Sequence, residues 1–484
     1  MSASTASKPR PFVILSLVLA CLLSAVDARA AGEETLPSSV RQALDQARVP
    51  ADAVGIWVQA VDSGTPALAI NADQPMNPAS VMKLVTAFTS LEHFGPSHTW
   101  QTRISSTGAV RNGVLQDDLY IVGGGDPVLS YERAWKLLRR LRALGVDTIT
   151  GDIVLDGSVL RLPAHDPDAF DGRGLRPYNS GPYGLLLHFN TLQLALFPGN
   201  GPNDAVTVAS EPPLNGVVID NRLQTSGASC GVWYRDLEAR IEPGPRLILS
   251  GSLPASCGPR NWSAAPLPPE DFSTATIAGL WKEVGGQLQG QVRTGSAPRE
   301  ARTQLVDDSA PLAEIVRDMN KWSSNVIARQ LLANLGSTNA DGAPDMVAAG
   351  AQVATAQLAA AGVQTAGLVI ENGAGLSRIE RVRADTLGQL LIAAWQRPWM
   401  AEFIAALPIA GEDGTARKRL VGSPARGQAH IKTGTINGVR AIAGYVLDHD
   451  GRRHVVVMLV NHAEAASTRA AQDALLEWVW AGGR

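Results

Sequence analysis

The chain has 484 residues, 45% of them hydrophobic and 18% charged, with a formal net charge of −3. That length and apolar fraction build a large globular core and exclude wholesale disorder. The near-neutral balance gives no electrostatic reason to expect nucleic acid as a partner, and three cysteines with eight scattered histidines leave little for a structural metal site.

Lys8 and Arg10 precede an apolar run over residues 12–23, and Ala28-Arg29-Ala30 follows. Basic start, short apolar centre and small-x-small site predict a secretory signal over residues 1–30, cleaved after Ala30. The run is short for a membrane span of about 20 residues. Cys21 leaves with that segment. Cys230 and Cys257 then remain in an oxidising compartment, where they are expected to form a disulfide.

Residues 54–61 and 67–70 alternate as a hairpin, and a helix is predicted from Ser80 to Phe94, ended by Gly95-Pro96. Residues 97–275 read differently, with short strand-like runs, one helix near 131–144 and many Pro and Gly turns. Helical signal returns at 311–335 and 344–361. Strands follow at 439–447 and 454–461, then a closing helix at 465–480. The expected architecture is α/β (α+β): one antiparallel sheet built from both chain ends and covered by helices. Residues 31–96 and 276–484 would form this discontinuous domain. Residues 97–275 would be a large, mostly β accessory insertion of two small domains.

Three fragments carry chemistry. In Ser80-Val81-Met82-Lys83, the i and i+3 side chains share a helix face, so a lysine made neutral by burial could take the serine proton. Ser323-Ser324-Asn325 supplies a hydroxyl and an amide between two helical stretches. Lys432-Thr433-Gly434-Thr435 ends a strand, where a Lys-Thr pair can hold a carboxylate and the glycine lets substrate backbone approach. Serine-x-x-lysine, serine-x-asparagine and lysine-threonine-glycine, in this order, form the signature of the penicillin-recognising serine enzymes. Two other patterns are decoys. Gly227-Ala228-Ser229-Cys230-Gly231 imitates a nucleophile elbow but is expected to lack the apolar strand before it and the helix after it. The three glycines at 123–125 read as a turn, with no Gly-Lys-Ser/Thr after them.

With these motifs the sequence resembles the D-alanyl-D-alanine carboxypeptidase/endopeptidase family, the class C low-molecular-mass penicillin-binding proteins. The runs LYIVGGGDP at 119–127, NGAGLSR at 372–378 and LPIAGEDGT at 407–415 also resemble family segments. The likeness spans about residues 36–480 and implies a penicillin-binding/β-lactamase-like catalytic domain. It implies Ser80 as nucleophile, Lys83 as general base and the amides of Ser80 and Thr435 as oxyanion hole. Ser323 and Asn325 would relay a proton, and Lys432 and Thr433, with Gly434 between strand and substrate, would bind the terminal carboxylate. At position 324 the family commonly carries aspartate; here it is serine.

The resemblance implies a periplasmic bacterial hydrolase acting on peptidoglycan stem peptides, captured covalently by β-lactam antibiotics, with no metal and no organic cofactor. A serine β-lactamase or esterase on the same scaffold, or a wall-binding protein without turnover, are the alternatives. Trp478 and Trp480 offer a weak membrane association as a second reading beside packing of the closing helix. The balance of carboxypeptidase and endopeptidase activity, and the oligomeric state, stay open at this point.

Overall fold

The computed structural model describes residues 1–4, 36–338 and 343–483. From residue 5 onward, the signal segment expected over 1–30 lies outside the described residues. Among the described residues no helix is long and apolar enough to cross a membrane.

The chain ends meet in one sheet. Helix α1 (Ser38–Gln46) leads into strand β1 (Val54–Ala60), which turns through a hairpin into β2 (Leu68–Ile70). A short 3-10 turn, Ala79–Met82, then opens helix α2 (Lys83–Phe94), and Gly95 ends it at φ +79°. Much later, helices α3 (Leu312–Trp322) and α4 (Asn325–Ser337) are separated by a two-residue break. Strands β3 (Ala429–Ile436), β4 (Val439–Leu447) and β5 (Arg453–Asn461) and helix α5 (Arg469–Trp480) close the chain. The sheet runs β3-β4-β5-β1-β2, antiparallel throughout, with Val54 opposite Val460.

The apolar run in β5 follows from burial on both faces. Side chains alternate across a strand, so Val455, Val457 and Leu459 enter one core with α2, α3 and α4. Val456, Met458 and Val460 enter a second core with α1 and α5. Fully burying each such side chain contributes about 1.5–3 kcal/mol relative to exposure. Trp478 and Trp480 pack half-buried against the second core.

Between β2 and β3 the chain builds further sheets. Strands Gln101–Ser106, Leu119–Val122 and Ile153–Asp156 share a five-stranded sheet, and two three-stranded sheets lie between residues 192 and 264. Their side chains form two hydrophobic clusters, one around Leu137 and Trp281 and one around Leu249 and Phe272. Residue 275 falls inside the helix Pro269–Glu283. Strands Val292–Thr294 and Arg302–Asp308, beyond it, pair with Ile153–Asp156 and Gln101–Ser106. These strands therefore extend the inserted sheet, not the terminal one.

Cys230 and Cys257 form the expected disulfide, next to the smaller cluster. The decoy elbow fails as expected, with no apolar strand before it and no α-helix after it. A strand, Val218–Ser226, does precede it, but that strand is largely exposed, a three-residue 3-10 turn follows, and Cys230 is held in the disulfide.

Candidate active site

The 3-10 turn places the first motif. With about three residues per turn, positions i and i+3 eclipse, and Lys83 Nζ lies 3.0 Å from Ser80 Oγ. The turn begins at Ala79, which takes a left-handed φ of +45°. Asn77 holds it: its Oδ1 accepts from Ala79 N–H at 2.9 Å, and its Nδ2 donates to the Ser377 carbonyl at 2.9 Å. Asn461 at the end of β5 brackets Asn77 from both sides, accepting from its N–H and donating to its carbonyl.

The second motif is the break between α3 and α4. Ser323 ends α3 in the left-handed region, φ +59°, and Ser324 caps α4 by accepting from Ile327 N–H at 3.3 Å. This tight turn sends Ser323 and Asn325 toward different lysines. Lys432 Nζ donates to Ser323 Oγ at 2.9 Å and to the Thr433 carbonyl at 2.7 Å. Lys83 Nζ donates to Asn325 Oδ1 at 2.7 Å and to the Ala374 carbonyl at 2.5 Å.

All three motifs thus meet around Ser80. Lys83 and Lys432 are fully buried, while Ser80, Ser323 and Thr433 are half-buried and Thr435 is exposed. Burial, and next the charge of Lys432, hold Lys83 well below the ordinary lysine pKa. Burial alone lowers Lys432 to about 7. Lys432 offers no surface to a ligand, so its charge reaches the cleft through Ser323 and the strand end.

Gly434 has a different reason from the expected one. A Cβ there would lie 2.5 Å from the Pro78 carbonyl and 3.0 Å from Ser80 N, so the bare backbone lets β3 pack against the turn that carries Ser80.

Glu380 and Arg329 contribute without any sequence signal, and the 407–415 segment adds contacts of its own. Glu380 is fully buried, and its Oε1 accepts from the N–H groups of Glu371, Asn372 and Gly373. It thereby shapes the loop whose Ala374 carbonyl holds Lys83. Burial raises the Glu380 pKa, and those three donors offset part of the rise. Buried Arg329 on α4 donates to the carbonyls of Tyr178 and Ser180, tying the inserted region to the site. The Tyr178 carbonyl also accepts from Asn325 Nδ2 at 3.3 Å, which orients the amide with Oδ1 toward Lys83. From the 407–415 segment, Thr415 Oγ1 lies 2.9 Å from Thr433 Oγ1, and Asp413 anchors the segment by an ion pair to Lys321 at 2.6 Å.

A serine beside a buried lysine, a second serine–lysine pair and an asparagine on the first lysine can together transfer an acyl group to serine. The family model described as D-Ala-D-Ala carboxypeptidase 3 (S13) matches residues 36–481. The chain belongs to that D-Ala-D-Ala carboxypeptidase family. It is 31% identical over 480 residues to the D-alanyl-D-alanine carboxypeptidase of Actinomadura sp. (strain R39), covering 93% of this chain and 85% of that one. It is 25% identical over 401 residues to D-alanyl-D-alanine carboxypeptidase DacB of Haemophilus influenzae, covering 81% of each. Among solved structures, penicillin binding protein 4 (dacB) from H. influenzae superposes with a TM-score of 0.76 at 23% identity, over 92% of this chain and all of that one. The same protein has been solved complexed with a β-lactam. The catalytic fold is therefore the expected penicillin-binding one, and the chain is a serine-type DD-peptidase by family.

Within this carboxypeptidase family the departure at position 324 has a local explanation. Serine caps a helix about as well as aspartate, and Ser324 does so here. Ser324→Ala is expected to lower stability by about 1 kcal/mol in denaturant melts, while Ser324→Asp stays near wild type. A Ser324→Asp variant that loses as much as Ser324→Ala would contradict the capping role.

Proposed function

We propose that Ser80 is the nucleophile of a DD-peptidase that hydrolyses D-alanyl-D-alanine ends of peptidoglycan stem peptides, D-alanyl cross-links, or both. The observation that carries this reading is the set of partners of Lys83. A neutral amine has two N–H donors and one lone pair. Asn325 Oδ1 and the Ala374 carbonyl occupy the two donors, which leaves the lone pair for the Ser80 hydroxyl. Burial, and next the charge of Lys432, disfavour the ammonium form of Lys83, which suits it to the role of base.

Ser80 Oγ then attacks the carbonyl between the two D-alanines, and its proton passes to Lys83. The amides of Ser80 and Thr435 stabilise the oxyanion. Ser323, hydrogen-bonded to Lys432, gives its hydroxyl proton to the leaving amine and takes up the proton that Lys83 removed from Ser80, so both lysines regain their starting charge, and Asn325 orients the peptide. Thr433 and Thr435 meet the terminal carboxylate with the Lys432 charge behind them. Water hydrolyses the acyl-enzyme. A β-lactam amide enters the same path and acylates Ser80. The Cys230–Cys257 disulfide fits an oxidising compartment, supporting export to a bacterial periplasm.

The pH profile tests the division between the lysines. kcat/KM reports the free enzyme. For a peptide with a free terminal carboxylate it falls as pH rises through about 7, where Lys432 loses its charge. It falls on the acid side as Lys83 gains a proton, well below the ordinary lysine range. The same peptide with an amidated C-terminus should keep the acid limb and lack the basic one. A basic limb of equal size for both peptides would sink this assignment.

A further inference from the structure

A cavity lies in the inserted region, away from Ser80. Its volume is about 1710 Å³, and its walls come from the segment around 160–183, the strand Leu237–Glu242 with the turn before it, and residues 262–270. None of Ser80, Lys83, Ser323, Asn325 or Lys432 lines it. It exceeds the roughly 300–1,000 Å³ typical of small-molecule pockets, so its size suits a length of polymer.

The lining is basic. Arg173, Arg176, Arg222, Arg235 and Arg240 line it together with Asp168, Glu238 and Glu270. Asp168 is already engaged by the Gly174 N–H, and Glu270 sits in the first turn of its helix, where backbone N–H groups favour it. Arg222 and Arg240 are paired with Asp220 and Glu242. Arg176 and Arg235 have no carboxylate within ion-pair distance among the described residues. Arg176 instead lies over the Trp262 ring, 5.8 Å from its centre, and exposed Tyr234 stands beside Arg235 in the chain. Arginine forks next to aromatic faces suit planar carboxylates on a peptide.

This cavity also shares a wall with the catalytic site. Ser180 lines it, and the Ser180 carbonyl accepts from Arg329, one turn along α4 from Asn325. We propose that the cavity binds a carboxylate-bearing stem peptide of the same polymer strand whose end reacts at Ser80. The inference rests on the peptidoglycan reading above. A second contact on one polymer raises the effective concentration of the first, so it acts on wall material and is silent toward short peptides.

The test uses the full chain carrying Ser80→Ala to measure binding, and the active chain to measure turnover. Arg176→Glu/Arg235→Glu should lower affinity for purified peptidoglycan sacculi about tenfold or more, since hydrogen bonds to charged groups are each worth about that factor. D-alanine release from an N-acetylated tripeptide ending in D-Ala-D-Ala should stay within twofold. Arg235→Glu alone, at an exposed and unpaired position, guards against misfolding and should also weaken sacculus binding. Glycan strands stripped of their peptides by an amidase should bind poorly to every form. Unchanged sacculus binding in both variants, or stripped glycan held as tightly as intact wall, overturns the proposal. Arginine-dependent sacculus binding by an active chain that neither releases D-alanine nor opens D-alanyl cross-links would contradict the peptidase reading and leave this one standing.

Discussion

Lys83→Met should lower the rate of Ser80 acylation by about 10²- to 10⁴-fold, the usual range for loss of a positioned general base. Methionine keeps most of the volume in a site where Lys83 is fully buried, which limits the cavity cost that alanine would add. It also leaves Asn325 Oδ1 and the Ala374 carbonyl without the donor they share now. A loss of about 1–3 kcal/mol in stability is therefore expected alongside the rate loss. Stopped-flow acylation by a chromogenic β-lactam, with a thermal melt on the same sample, separates the two effects. A folded Lys83→Met protein that acylates within tenfold of wild type would remove Lys83 from the base role.

Gly375→Ala should be nearly as severe, although the residue touches no substrate in the proposed mechanism. Gly375 has φ +78°, and a Cβ on it would fall 1.8 Å from the Ala79 carbonyl oxygen and 2.6 Å from Ser80 N. Either the loop that carries the Ala374 carbonyl or the turn that carries Ser80 has to move by about an ångström, a displacement that costs on the order of 10²-fold in rate. The left-handed backbone adds about 1–2 kcal/mol of instability. Gly362→Ala provides the comparison. Its φ is +80°, but nothing lies within 4 Å of the added carbon. That variant should lose similar stability and keep its acylation rate. Equal rates for the two variants would show that the loop does not set the position of Ser80.

The three motifs were legible in the sequence because each is a local unit whose geometry is set within a few residues. Ser80 and Lys83 share one turn, Ser323 and Asn325 flank one helix break, and Lys432 through Thr435 lie on one strand. The sheet was legible for a related reason. The apolar stretches 441–447 and 455–460 read as strands covered on both faces or as buried helix, and the turn between them is too tight for helices. What the sequence hid depends on contacts outside the short motifs, some a loop away and some far along the chain. Glu380 acts through three backbone N–H groups several residues upstream, and a lone glutamate in a polar stretch announces nothing of this. Arg329 is a surface-type residue buried by a segment some 150 positions earlier. Gly434 was read as room for substrate, whereas the space it leaves is filled by the protein's own Pro78 carbonyl. The strands at 292–308 were invisible as part of the insertion because their partners lie at 101–156, and register between distant strands is not written in either one alone.

The most direct measurement of the central claim is the intact mass of the mature protein followed over time after adding benzylpenicillin, for wild type and for Ser80→Ala. Ring opening by a serine hydroxyl loses no atoms, so wild type should gain the full mass of one drug molecule and hold it long enough to map the adduct to Ser80. Ser80→Ala, with an unchanged melting temperature, should gain nothing. An equal adduct on Ser80→Ala, or one that maps to Ser323, would contradict the assignment of Ser80 as the nucleophile.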